Sequence, residues 1–168
     1  MKFILNTVIG LGVIGTAFFV YHKYGDDVDV VFLGEQSVYT VYVDKVALSV
    51  TVADSESERK KGLSGVPSLR ELEGKLFIFD TAQRHGVWMN EMNFPIDVLW
   101  FDDDLELVSF EKDVTPESYP NVFAPTTDAR FILEMNAKFI DSVQIQLGDR
   151  LLLPSSILPS DVRNNLQE

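Results

Sequence analysis

Residues 86–101, GVWMNEMNFPIDVLWF, are the part of this sequence that decides its fold. The stretch holds two Trp, two Met and two Phe around one proline, with only two acids, Glu91 and Asp97. It is too apolar for a solvent-facing loop, and Pro95 excludes one continuous helix because proline lacks the backbone donor that a helix interior needs. The stretch is therefore predicted to lie in the core or to form the floor of a site.

Strand-like segments lie on both sides of this stretch and make the predicted body mainly β. Residues 46–53 alternate between apolar and small or polar side chains, which is the pattern of a half-buried strand. Residues 75–80, KLFIFD, are apolar on both faces, which is typical of a strand that is covered on both sides. Further strands are predicted at residues 30–33, 38–43, 96–101, 105–110, 131–135 and 150–153.

Two short helices are predicted between the strands. Ser55 and Glu58 have the spacing of a capping box, so a helix over residues 55–61 is expected to end at Gly62. A second helix is expected within residues 136–142. The predicted fold is therefore mainly β (α+β), a small β-barrel or sandwich-like body with one or two short helices, preceded by one N-terminal transmembrane helix.

The domain organisation follows from changes in composition along the chain. We predict a membrane anchor or signal segment at residues 1–22, a linker at residues 23–29, a globular mainly-β domain at residues 30–154 and a polar tail at residues 155–168. Within the globular domain, residues 113–129 include three prolines. A loop of this length is typical of a lid or a binding loop.

The N-terminal segment predicts contact with a membrane. Residues 3–21 contain no charged side chain and are just long enough to span a bilayer as a helix. The alternative is a cleavable signal peptide with Lys2 in its basic region. The apolar run continues to Tyr21, which favours an uncleaved anchor, and the body is expected on the periplasmic or extracellular side of the membrane.

Charge and cysteine content exclude several classes of function. The chain carries a formal net charge of −12, so DNA, RNA and anionic lipid surfaces are unfavourable partners. It has no cysteine, which excludes disulfides, a thiol nucleophile and a Cys-ligated metal site. No cofactor is predicted. The sequence contains no Ser, His and Asp in the order of a catalytic triad, no phosphate-binding loop and no nucleophile elbow.

Motifs over residues 46–153 give the sequence a resemblance to a known family. The matching positions are Arg59, Gly62, Leu63, Leu69, Gly74, Leu76, Phe77, Phe79, Trp88, Met89, Pro95, Asp97, Leu133, Glu134, Gly148 and Asp149. With these residues in this order, the chain resembles the bacterial and archaeal domain of unknown function 192. The resemblance implies an exported domain without a settled activity. The chain has Asn90-Glu91-Met92 where the family usually has Lys-Asn-Thr after Trp-Met.

Asp97 and Glu134 are candidate catalytic residues, because each is the lone acid inside an otherwise apolar strand. If both carboxyl groups pointed inward and lay close together, their pKa values would separate as in general acid/base pairs. The alternative is structural: each carboxylate would bind backbone amides or pair with Arg59 or Arg130.

His85 is the third catalytic candidate. It precedes Glu91 by six residues and Asp97 by twelve, and a histidine with two carboxylates can bind a metal or transfer protons. The spacing matches no defined metal motif, so an exposed loop histidine is the simpler interpretation and no metal site is predicted. Asp102, Asp104 and Glu106 alternate as in a calcium loop but lack its glycine and distal Glu, which favours a solvated hairpin turn.

Aromatic residues give the candidate ligand-binding site. Trp88, Tyr119 and Phe123, together with Glu91 and Asp97, could line a pocket beneath the proline-rich loop. The alternative is that the rings fill the core, and this interpretation is favoured for Trp88 and for Trp100.

The sequence thus predicts a membrane-anchored extracytoplasmic domain that binds a small molecule, a glycan or a protein partner without chemistry of its own. A hydrolase that uses Asp97 or Glu134 as acid or base is the first alternative. A structural or assembly factor is the second.

Overall fold

The computed structural model describes residues 8–14, 17–24, 27–33 and 37–166, and it describes side chains for residues 37–166. The chain divides into two units, Met1–Ser37 and Val38–Glu168. The first unit holds an antiparallel sheet of three strands in the order β1-β2-β3. These strands are β1 Val8–Ile14, β2 Ala17–Tyr24 and β3 Asp27–Leu33.

The transmembrane helix expected within residues 3–21 is not found where that range is described. Those parts form β1 and most of β2 instead, while residues 1–7 and 15–16 lie outside the described residues. An apolar run does not by itself choose between helix and strand, and β1 is rich in β-branched Val and Ile and contains Gly10 and Gly12, which weaken a helix. Across the described residues, no helix is both long and apolar enough to cross a membrane. The turn expected at residues 34–36 also lies outside the described residues.

The second unit is built on one seven-stranded sheet with the order β12-β4-β5-β6-β11-β8-β9. All neighbouring strands are antiparallel except β5 and β6, which are parallel. The strands are β4 Val38–Val43, β5 Val46–Ala53, β6 Glu73–Gln83, β8 Ile96–Phe101, β9 Leu107–Val114, β11 Ala129–Asn136 and β12 Leu151–Leu152.

The two edges of this sheet meet, so the sheet curls into a barrel-like body. The Leu107 N–H donates to the Asp149 carbonyl at 2.8 Å, and the Gly148 N–H donates back to the Leu107 carbonyl at 2.9 Å. The Leu151 N–H donates to the Leu105 carbonyl at 2.9 Å. The predicted mainly β class is confirmed, and of the two predicted forms, barrel or sandwich, the curled sheet corresponds to a barrel-like body. Among the described residues it carries three short α-helices, α1 Glu56–Lys61, α2 Phe139–Val143 and α3 Ser160–Asn165.

The central strands β6, β11 and β8 carry apolar residues on both of their faces because both faces are covered. Leu76, Leu99 and Leu133 pack into the core inside the curled sheet. Their neighbours Phe77 and Trp100 point to the opposite face, into a second apolar layer. Successive strand residues point to opposite faces, so a strand between two cores needs apolar residues at nearly every position.

α1 begins and ends as its sequence predicts. The Ser55 hydroxyl accepts the Glu58 N–H at 3.3 Å, while the Ser55 N–H donates to the Glu58 carboxylate at 3.1 Å. Gly62 ends the helix at a φ of 49°, a left-handed value that glycine adopts without strain. The helix is therefore held at a fixed place over the outer face of β5 and β6.

The proline-rich segment and the C-terminal segment both pack on the body. In the first, β10 Val122–Phe123 pairs with β7 Val87–Trp88, following a 3₁₀ helix at Pro116–Ser118. In the second, where a polar tail was expected, α3 buries Val162, and Asp161 binds Arg130. Packing of Val162, Ile157 and Leu158 on the core, together with one ion pair, thus orders a segment whose composition is mostly polar.

Candidate functional site

An open cleft of about 360 Å³ lies between α1, the outer face of β6 and β11, and the small sheet of β7 and β10. We call it the α1 cleft. Three basic residues of α1 lie on its rim, four large apolar side chains form its walls, and one acid of β11 lies at its floor. The rim residues are Arg59, Lys60 and Lys61, the wall residues are Phe77, Phe79, Trp88 and Met92, and the floor residue is Glu134.

Glu134 at the floor is buried beside a buried lysine. The strand register places it directly opposite Lys75 on β6 and opposite Val98 on β8. Glu134 is 5% exposed and Lys75 is 4% exposed. The Lys75 ammonium donates to the Thr51 hydroxyl at 3.4 Å, whereas the Glu134 carboxyl has no hydrogen-bond partner among the described residues. Its remaining hydrogen-bonding capacity is therefore directed into the cleft.

Burial controls the protonation of this pair. Desolvation raises the pKa of Glu134 from 4.5 to about 8, and the positive charge of Lys75 opposes part of that rise. Desolvation likewise lowers the pKa of Lys75, and the nearby negative charge of Glu134 opposes the lowering. At neutral pH Glu134 is thus mostly a neutral acid, which can donate one hydrogen bond as well as accept.

The basic rim combines one fixed residue with two free ones. Arg59 donates to the Ile78 carbonyl at 2.8 Å and also to the Asp54 carbonyl. Its guanidinium carbon lies 5.1 Å from the centre of the Phe79 ring, a cation–π distance. Lys60 and Lys61 are exposed, and neither forms an ion pair within the described part of the chain. They are available to an anionic group that enters the cleft.

The two tryptophans have different environments. Trp100 is fully buried, and its indole N–H donates to the His85 carbonyl at 2.9 Å, so its prediction as a core residue is confirmed. The same prediction for Trp88 is wrong, because Trp88 is 50% exposed and lines the α1 cleft. It lies on the short strand β7, whose partner β10 covers only part of it, and its cross-strand neighbour Val122 is 60% exposed.

Asp97 lies on the opposite face of the sheet from Glu134. Asp97 pairs with Met135 of the inner core, whereas Glu134 pairs with Val98 of the outer layer. The two carboxylate oxygens of Asp97 accept the backbone N–H groups of Asp113 and Ile140, each at 2.9 Å. The two acids therefore do not form an acid/base pair, and Asp97 has the structural role that was the alternative. Neither acid pairs with Arg59 or Arg130; those arginines bind other acids.

The remaining candidates do not line the cleft. His85 stacks on Phe79 with ring centres 3.6 Å apart, and its Nε2 lies 2.9 Å from the Thr81 carbonyl oxygen. Glu91 is exposed in a turn and has a positive φ of 54°. Tyr119 is exposed, while Phe123 is half-buried against the outer apolar layer. Within the described residues, no three His, Asp or Glu side chains are grouped to hold a metal ion.

Sequence reasoning missed the partner of Glu134 and the basic rim. Lys75 stands 59 positions before Glu134, and only the strand register shows that they face each other. The rim did have a signal, because Arg59-Lys60-Lys61 is the one run of three basic residues in a chain with 14 Lys and Arg.

A second cavity of about 430 Å³ lies beside α2. Its only basic side chain, Lys138, is bound to Asp113, so the α1 cleft is the better candidate.

Comparison with known proteins identifies a family. The model of DUF192, described as "Uncharacterized ACR", matches residues 38–153, which include every strand of the seven-stranded sheet and the whole α1 cleft. Among curated proteins, none matches the sequence significantly.

Two solved structures share this fold. One is a protein of Sinorhizobium meliloti 1021 with a provisional description as a transcription regulator; it is 24% identical, with a TM-score of 0.67, over 70% of this chain and 96% of its own. The other is a protein of unknown function from Novosphingobium aromaticivorans DSM 12444. It is 15% identical, with a TM-score of 0.62, over 90% of this chain and 96% of its own. Identities this low support the fold alone.

Proposed function

The chain belongs to the DUF192 family of uncharacterised proteins, and we propose that its second unit is a non-catalytic module that binds a small molecule in the α1 cleft. One observation carries the proposal: an open, apolar-walled cleft is lined by the mostly buried acid Glu134, whose carboxyl oxygens form no hydrogen bond with the described residues and are not among the atoms fully closed off from solvent. Because these oxygens are reached from the cleft, a ligand can supply the hydrogen-bond partner that water otherwise provides.

The size and walls of the cleft support a small ligand. Its volume of about 360 Å³ lies within the usual range of small-molecule sites, which combine apolar walls with few polar groups. Trp88 offers a half-exposed ring on which an apolar or aromatic body can lie. A glycan could use the same ring. A protein partner is favoured by a different observation, the neighbouring exposed side chains of Trp88 and Val122.

A hydrolase remains the alternative from a different class. It is supported by Glu134, whose pKa of about 8 suits a general acid or base near neutral pH. Asp97 and His85 give no support, because Asp97 faces the other side of the sheet and His85 stacks on Phe79. Regulation by direct DNA binding, which the description of the Sinorhizobium protein suggests, is opposed by the net charge of −12.

Titration with a neutral fluorescent probe, N-phenyl-1-naphthylamine, tests the binding proposal. We expect saturable binding to the wild-type protein and a loss of about tenfold or more in affinity for Trp88→Ala, because Trp88 supplies the largest apolar wall. Leu147→Ala is the matched control, since Leu147 is an exposed apolar residue outside the cleft. The proposal fails if the probe does not bind, or if both variants bind it equally well.

Membrane attachment and an extracytoplasmic location of the body stay predictions from the sequence. Their support is the uncharged run at residues 3–21. Labelling of intact cells with a membrane-impermeant, amine-reactive reagent tests the location of the body. Labelling of the body before lysis is the expected result, and labelling only after lysis contradicts the location.

A further inference from the structure

We infer that the ligand of the α1 cleft is an amphipathic organic anion, with an apolar body against the walls and one carboxylate, sulfonate or phosphate group at the basic rim. This inference rests on the proposed function and names the chemical class that the site selects. It depends on three features of the cleft: the charge of the rim, the free hydrogen-bonding capacity of the floor, and the apolar surface between them.

The charge of the rim is opposite to that of the chain. Arg59, Lys60 and Lys61 stand together at the cleft in a protein with a formal charge of −12, and Glu56 is the one acidic lining residue beside them on α1. The ammonium groups of Lys60 and Lys61 are exposed and have no ion-pair partner in the described part of the chain. Such a cleft attracts anions locally while the rest of the surface repels them.

Basic residues in the last turn of a helix also have a structural explanation. Positively charged side chains are favoured near the C-terminal end of a helix, which is the negative end of its dipole, and α1 ends with Arg59, Lys60 and Lys61. That explanation accounts for the charges but not for the apolar walls beside them or for the unpartnered carboxyl at the floor. It also predicts no effect of these lysines on ligand affinity, so the two explanations can be separated by experiment.

The floor is suited to an anion because Glu134 does not oppose it with a negative charge. The charged group that acts directly on Glu134 is Lys75 on β6, and Glu58 and Lys61 of α1 act in turn on Lys75. The rim residues line the same cleft as Glu134. While protonated, Glu134 can donate a hydrogen bond to an oxygen of the ligand. Once ionised, it would repel the anion. Affinity for an anion is therefore expected to fall as the pH rises through about 8.

Large apolar side chains line the cleft together with the basic rim and Glu134. Phe77, Phe79, Trp88 and Met92 supply two flat rings, an exposed indole and one flexible thioether. A purely inorganic anion would leave this surface in water, and a neutral hydrocarbon would leave the two lysines without a partner. A molecule that carries both parts can cover the apolar walls and pair with the basic rim at the same time.

A matched pair of probes tests the inference. 8-Anilinonaphthalene-1-sulfonate is N-phenyl-1-naphthylamine with an added sulfonate, and that sulfonate stays ionised at every pH used. We expect the anionic probe to bind about tenfold more tightly than the neutral one. In the double variant Lys60→Gln with Lys61→Gln, this preference should vanish while the neutral probe binds as before. Lys45→Gln, which removes an exposed lysine on the β4–β5 turn, should change neither affinity.

The outcomes separate this inference from the function on which it rests. Equal affinity for the two probes, or an unchanged preference in the double variant, overturns the inference and leaves the binding module intact. If neither probe binds, both fail. As a further test, the affinity for the anionic probe should fall about tenfold between about pH 7 and about pH 9 in the wild-type protein and stay constant in Glu134→Gln. A wild-type affinity that does not change with pH contradicts the role of Glu134 at the floor.

Discussion

Asp97 and Glu134 lie on neighbouring strands of one sheet, and both are lone acids among apolar side chains. Asp97 is fully buried and accepts two backbone N–H groups, one from β9 and one from the first turn of α2. Glu134 is nearly as buried, yet it accepts no hydrogen bond within the described part of the chain and faces a cleft. One acid completes hydrogen bonds that the fold needs, while the other lines a cleft without such hydrogen bonds.

This difference shows how a buried acid can be assigned to structure or to function. The first turn of a helix leaves backbone N–H groups without partners, and a carboxylate that accepts one of them stabilises the fold. A carboxyl group that is desolvated without such hydrogen bonds costs folding free energy, so its presence in a cleft is a reason to propose binding or chemistry there. Three measurements test this difference between Asp97 and Glu134.

The largest effect is expected for Asp97→Ala. The substitution leaves two backbone N–H groups without an acceptor, and hydrogen bonds to a charged group are worth about 1.5–3 kcal/mol each, so the free energy of unfolding should fall by about 3–6 kcal/mol. Urea denaturation measures it. Asp128→Ala, at an exposed acid, is the control and should change stability by less than about 0.5 kcal/mol. If the free energy of unfolding fell no more for Asp97→Ala than for the control, Asp97 would not have a structural role.

The second effect is a pH dependence that Glu134 alone should produce. The unfolded chain releases the Glu134 proton near its ordinary pKa of 4.5, whereas the folded chain holds it to a pKa of about 8. Between about pH 4.5 and about pH 8, the folded chain thus binds more protons than the unfolded chain. The stabilisation is complete below about pH 4.5 and is lost as the pH rises through about 8, a change of about 4 kcal/mol between about pH 5 and pH 9.

Comparison with Glu134→Gln isolates that change from all other titrations. The glutamine side chain does not ionise, so the difference in unfolding free energy between variant and wild type should grow with pH and level off above about pH 9. Denaturant unfolding at a series of pH values measures the difference. Parallel curves for the two proteins would show that Glu134 titrates normally and would remove the contrast with Asp97.

The smallest effect is expected for Lys75→Met. The positive charge of Lys75 holds the pKa of Glu134 lower than burial alone would set it. Methionine keeps the apolar stem without the charge, so the pKa of Glu134 should rise further, by about one unit, or about 1.4 kcal/mol. Carbon-13 NMR of the Glu134 carboxyl measures it, with Lys45→Met as the control. A lowered pKa would mean that Lys75 does not act on Glu134 through its charge.

Local parts of the fold could be predicted because their signals lie within a few residues. The capping box of Ser55 and Glu58 placed α1 and its end at Gly62. The apolar run at residues 96–101 gave β8 with its exact bounds. The same reasoning failed for residues 3–21, where an apolar run suits either a helix or a strand, and for Trp88, whose exposure depends on how far β10 covers it.

The candidate site was predicted only in part. Glu134 was named as a candidate catalytic residue and Trp88 as a candidate ligand-binding residue, although the core was the favoured place for Trp88, and both line the α1 cleft. Asp97, His85, Glu91, Tyr119 and Phe123 do not line it. Lys75 and the basic rim were missed because a site assembled from β6, β11, α1 and β7 joins residues that are far apart in the sequence.

The sequence by itself determined the mainly β class, the short capped helix and the burial of strands that are apolar on both faces. These follow from side-chain periodicity and from hydrogen bonds within a few residues of each other. Only the tertiary structure decided which face each acid occupies, because strand register pairs Asp97 with Met135 and Glu134 with Lys75 and Val98. A shift of one residue would exchange the two faces, and no local pattern in the sequence records that choice.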